Sequence, residues 1–164
     1  MTTPITIDTT LISGVISAAV AILVACGTVI WTTKSNRKLE EKKLKDAKKE
    51  ELFHAIIEIN RAMYRYFACF NLALNSKQFH LELIDEKRDS AIARLELLSN
   101  IYFNNLELSP LLESIFKYEQ ENVMQIRSPY YNGSVTYEKC SLAKENYDKI
   151  SLETSRLKMA VNKL

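Results

Sequence analysis

Glycine and proline are scarce in this chain, with three of each in 164 residues and neither between Thr28 and Ser109. So long a stretch without a helix breaker argues against a turn-rich sheet domain and favours long helices. Cysteine is equally thin. Cys26, Cys69 and Cys140 show no paired spacing, which excludes a legible disulfide framework or zinc motif and makes reduced thiols the expectation. His54 and His80 are the only histidines and have no Cys or His partner at ligand spacing, so no metal is expected. No glycine-rich phosphate loop is present, and no nucleophile, base and orienting group can be assembled. The chain reads as a non-enzyme without a cofactor. Its net charge of +2 gives no argument for duplex nucleic acid as a partner.

Charge is also missing, completely, from Thr9 to Thr33. The densest part, Leu11 to Trp31, is 21 residues of mostly Ile, Val, Leu and Ala. At its helical rise it reaches roughly 31 Å, close to the ~30 Å of bilayer hydrocarbon. A cleaved signal peptide begins with a positive region, and Met1 to Thr10 holds no Lys or Arg. The expectation is one permanent membrane helix. Eight Lys and Arg lie between Lys34 and Lys49, which places that end in the cytoplasm and the N-terminus outside, in a bacterial inner membrane crossed once. Trp31 suits the headgroup level. On a helical wheel Ser13, Gly14, Ser17, Ala21, Ala25 and Thr28 fall on one side, with Ile12, Ile16, Leu23 and Ile30 opposite. Small residues let helices approach closely, so this side is a candidate self-association face; an ordinary membrane-helix composition explains it equally well.

The chain divides into a tail and span (1–33), a charged helical connector (34–51) and a helical domain (52–164). Good helix formers dominate the connector, so the membrane helix is expected to continue through it, with pairs such as Glu41 and Lys45 at helical spacing. Its basic excess also suits anionic lipid heads. Leu52, Ile56, Ile59, Met63, Phe67, Phe70 and Leu74 then form one apolar face, thickened by Phe53, Ile57, Tyr64 and Ala68. A second helix is expected over 79–104, with Leu81, Ile84, Ile92, Leu95, Leu98, Ile101 and Tyr102 on one face and Asp85 to Asp89 as an exposed charged turn. A third should open with Ser109 as cap and Pro110 at the first helical position and run to about Ile126. Arg127 to Ser134 reads as a loop. From about Val135, Cys140, Ala143, Tyr147, Ile150, Thr154, Leu157, Val161 and Leu164 alternate spacings of three and four, as a short heptad seam or the core face of a bundle helix. The fold class is all-α: a single N-terminal transmembrane helix followed by a cytosolic bundle of about four helices.

Binding is the more promising chemistry. Arg61 and Arg65 flank Tyr64 on the most apolar helix of the domain. Either Glu58, three residues before Arg61, neutralises them or they face an anionic ligand. Arg127, Tyr130, Tyr131 and Asn132 offer phosphate pairing, base stacking and a base-edge contact, or else form an ordinary polar turn. Lys77, Gln78 and His80 make a weaker third group.

In plan the chain resembles the small membrane effectors of type III CRISPR defence activated by cyclic tetra-adenylate. The likeness rests on the N-terminal span Leu11 to Trp31, the Lys-rich stretch Lys34 to Lys38 and one small all-helical domain. The resemblance implies a homotetramer whose cytosolic domains bind a cyclic oligoadenylate and so disturb or open the membrane part, with membrane lipid as the other partner. The alternatives are a membrane-anchored scaffold whose bundle docks a protein, or a holin-like lysis protein.

Overall fold

A computed structural model describes residues 9–75, 79–127 and 135–164, with side chains from residue 13 onward. Among the described residues there is no strand. The elements are α1 (Thr9–Leu74), α2 (Glu82–Tyr102), α3 (Ser109–Tyr118), a π-helical segment (Glu119–Val123), α4 (Met124–Arg127) and α5 (Tyr137–Asn162). The chain is all-α, and α1 includes a stretch long and apolar enough to cross a membrane. It separates into two units, Met1–Lys45 and Asp46–Leu164.

In the first unit every described side chain of the apolar stretch is exposed. A Cβ added at Gly14 or Gly27 would meet nothing, so the small-residue face is uncovered in the single chain. The Thr28 hydroxyl donates to the carbonyl of Val24 at 2.8 Å. Its hydrogen is thus spent within its own helix, as is usual for a hydroxyl in an apolar span. In the basic stretch the Arg37 guanidinium pairs with Glu41 at 3.1 Å, so Glu41 looks back one turn rather than forward to Lys45.

The second unit is a bundle of the C-terminal part of α1, α2, the rod made by α3, the π segment and α4, and α5. Leu52, Ile56, Ile59, Met63 and Phe70 are buried along α1, with the smaller Ala55, Ala62 and Ala73 beside them. Each large side chain removed from water contributes roughly 1.5–3 kcal/mol. On α5, Cys140, Ala143, Ile150, Thr154, Leu157 and Val161 are buried, while Tyr147 is half-buried and Leu164 exposed. The seam is therefore the inner face of a bundle helix and is occupied by the chain's own core. Helix α5 packs on α3. Thr136 caps α5 in extended conformation, its hydroxyl oxygen accepting from the Lys139 amide at 3.3 Å. The Lys49 ammonium donates to the Asn162 carbonyl at 3.3 Å, placing a cation on the negative end of the α5 dipole.

Several expected features fall differently. Helix α2 begins at Glu82, with Leu81 in the cap position and Glu82 and Asp85 complementing the first-turn dipole. Leu108 occupies the cap position of α3, so Ser109 is its first residue and Pro110 its second. Pro110 still costs nothing there, because first-turn amides have no partner within the helix. The third rod is not uniformly α-helical. The π segment inserts one extra residue per turn, which a short run of apolar residues does not betray. Ile101 and Tyr102 on α2 and Phe116 on α3 are exposed, although their spacing suggests core. On α3 the inward stripe is Leu111, Ile115 and Tyr118, which leaves Phe116 one step out of phase.

Candidate functional site: a basic cleft on a buried polar network

The stretch from Asp85 to Asp89 is a helical part of α2 that is exposed at Glu86, Lys87 and Asp89 but not at Arg88. Arg88 is only 7% exposed and is the anchor of a network joining three elements. Its Nη1 donates to Glu119 of the π segment at 2.7 Å, and its Nε donates to Asp89 at 2.9 Å. The guanidinium carbon lies 5.6 Å from the centre of the Tyr66 ring on α1, within cation–π range. Burial works to lower the Arg88 pKa, and the bonds to Asp89 and Glu119 outweigh it, so the group is held more firmly charged than usual. The Tyr66 hydroxyl donates to Asp85. Arg127, at the end of α4, donates Nη2 to both oxygens of the same carboxylate at 2.7 and 2.8 Å. A buried charge is tolerable only when paired in this way. The π segment supplies Glu119 to Arg88. It also supplies Glu121, which accepts from Asn146 of α5 at 3.0 Å.

Burial, then the bond to Asp85, pushes the Tyr66 phenol above its ordinary 10.0. Burial, then the neighbouring thiols of Cys69 and Cys140, does the same to Tyr118, whose hydroxyl has no partner among the described residues. Burial likewise raises Cys69 and Cys140, leaving both thiols protonated and poorly nucleophilic. With both phenols raised, the folded chain keeps two protons that the unfolded chain gives up near pH 10. The stability from these groups is complete below pH 10 and is lost as pH rises further. The bundle's melting temperature, followed by circular dichroism, should fall between about pH 10 and 11.5. A Tyr66→Phe, Tyr118→Phe double variant should show a shallower fall; an equally steep one would remove these phenols from the account.

Beside this network, α1 and α2 enclose an open cleft of about 380 Å³. Ala62 and Ile84 contribute apolar lining, and Arg61, Arg65, Lys87 and Arg94 bring four cations against the carboxylates of Glu58 and Glu86. Arg94 Nη1 stands 3.5 Å from Glu58, both side chains about half exposed. Among the described residues, Arg61, Arg65 and Lys87 have no carboxylate within 4.0 Å. Glu58 is thus turned to Arg94 across the cleft rather than to Arg61 along its own helix. The concave shape, the excess of positive charge and the guanidinium forks suit an anion that can be gripped at several points.

Of the residues expected to meet a ligand, only Arg61 and Arg65 line this cleft. Tyr64 points elsewhere, into an aromatic group with Phe67 and Tyr147 at centroid distances of 6.3 and 5.8 Å. Phe67 and Tyr147 stack at 6.0 Å with their planes 9° apart. Arg127 is engaged by Asp85, and His80 is exposed ahead of α2. Lys77, Tyr130, Tyr131 and Asn132 lie outside the described residues. Lys87 and Arg94 were not anticipated, although their spacing of seven, two helical turns, places them on one face. No family model matches the chain, and neither a curated protein nor a solved structure does.

Proposed function

We propose that this protein is a single-pass membrane effector whose cytosolic bundle binds a cyclic oligoadenylate in the α1–α2 cleft and thereby perturbs the membrane. The observation that carries the reading is the group of four cations in that cleft, three of them without a carboxylate partner among the described residues. A phosphodiester ring presents charges at regular intervals, and arginine forks match them bidentately. Arg61 and Arg65 belong to α1, the same helix that contains the apolar stretch, so a ligand held there acts on the element that enters the lipid. The orientation is N-terminus outside, from the excess of Lys and Arg that follows the span. Self-association, as a tetramer, runs along Ser13, Gly14, Ser17, Ala21, Ala25 and Thr28, with the bundles outside the lipid. For the ligand to switch the assembly it must bind the disrupting arrangement more tightly than the resting one.

A docking scaffold would have to use a face other than the α5 seam, which is buried in the bundle's own core. The test uses the full chain in lipid nanodiscs, titrated calorimetrically with cyclic di-, tri-, tetra- and hexa-adenylate, and dye-loaded vesicles carrying the same chain. One ring size, expected to be the tetramer, should bind at submicromolar concentration and trigger leakage. Absence of binding by every ring overturns the reading, and leakage independent of any ring favours a holin-like protein instead.

A further inference from the structure

The cleft contains a feature that a purely phosphate-binding site does not need. Glu58 and Glu86 lie among its cations. A carboxylate repels a bare polyphosphate, and it accepts hydrogen bonds from amino and hydroxyl groups. Glu58 is the better placed of the two, since its Oε2 stands 3.5 Å from Arg94 Nη1, longer than the usual range for a charge-assisted bond. Both partners are about half exposed, so the pair is weakly held and can exchange.

Resting on the reading of this cleft as a nucleotide site, we infer that Glu58 is its specificity-determining residue. In the structure it is the counter-ion of Arg94. When a ligand phosphate takes Arg94, the Glu58 carboxylate is released and accepts a hydrogen bond from a donor on the same ligand, an exocyclic amine or a sugar hydroxyl. An inorganic polyphosphate can supply the first contact but not the second, and it leaves a carboxylate without a partner beside its own negative charge. Half exposed, that carboxylate is rehydrated, so what the polyphosphate meets is the repulsion between its own charge and that of Glu58. The cleft therefore selects a ligand that carries anion and donor together, and rejects the abundant simple anions that its cations alone would attract.

The experiment compares wild type, Glu58→Gln and Glu96→Gln in full-length chain, titrated with inorganic tripolyphosphate and with cyclic tetra-adenylate. Glu96 is exposed on α2 away from the cleft and controls for the general gain of positive charge. Glu58→Gln should bind tripolyphosphate about 2- to 5-fold more tightly, because a half-exposed ion pair contributes no more than about fivefold to holding Arg94. It should bind the ring no better, and up to tenfold worse, because a neutral amide oxygen is a weaker acceptor than a carboxylate. The selectivity ratio thus falls at least about twofold, while Glu96→Gln leaves it unchanged. If Glu58→Gln moves both probes by one common factor, as the control does, the inference is overturned and the nucleotide reading of the cleft stands. If wild type prefers tripolyphosphate to the ring, the selectivity role is overturned directly. If wild type binds neither probe, both readings fall.

Discussion

Replacing Arg88 with alanine should lower the stability of the bundle by about 3–5 kcal/mol, the combined cost of losing a buried, paired guanidinium with its packing and of leaving the part-buried Glu119 without its cation. The loss is not that of a surface ion pair. Arg88 is 7% exposed, and its side chain joins α2 to Glu119 at 2.7 Å and lies over the Tyr66 ring of α1. Truncation would strand Glu119, whose own side chain is only 23% exposed, and would open a void against Tyr66. For a bundle of this size the change corresponds to a fall in melting temperature on the order of 15 °C. Near-ultraviolet circular dichroism of the full chain in detergent reads it through the buried tyrosines. A companion variant, Arg88→Met with Glu119→Leu, should recover much of the loss, because exchanging a buried ion pair for well-packed apolar groups is often neutral. A fall of less than about 3 °C in Arg88→Ala would show that the network holds little of the structure together.

The second large effect concerns binding. Reversing charge at Arg61 and Arg65 together, each to Glu, should abolish cyclic oligoadenylate binding while leaving the melting temperature within about 2 °C of wild type. Each guanidinium–phosphate contact contributes about 1.5–3 kcal/mol, so losing two weakens binding roughly 100-fold or more before any repulsion is counted. Both side chains are exposed and neither has an ion-pair partner among the described residues, so the fold has little to lose. The milder Arg61→Lys, Arg65→Lys variant separates charge from geometry. It retains the charge and loses the bidentate fork, and should weaken binding about tenfold. Retained affinity in the Glu variant would move the ligand away from the cleft.

The sequence by itself determined that the chain is helical, where most of the helices lie, and which stretch is fit for lipid. These are local properties. Few helix breakers, a charge-free run from Thr9 to Thr33 and apolar residues recurring every three or four positions can each be read within one or two turns. For the same reason α5's seam from Cys140 to Val161 was legible as a buried face. The expectations that failed were those needing a partner helix. Of the two readings open for Arg61, neutralisation by Glu58 is the one the fold does not take, because sequence shows only neighbours along a helix, whereas the fold offers Glu58 the guanidinium of Arg94, 36 residues away. Asp85 to Asp89 looked solvated because charge runs usually are. Arg88 instead meets a carboxylate 31 residues on, and Asp85 is met by Arg127 from 42 residues on. The register between α1, α2 and the third rod decides all three pairings. That register is set by how buried side chains such as Tyr66 and Ile84 interlock, and close packing of that kind has no periodic signature in one dimension.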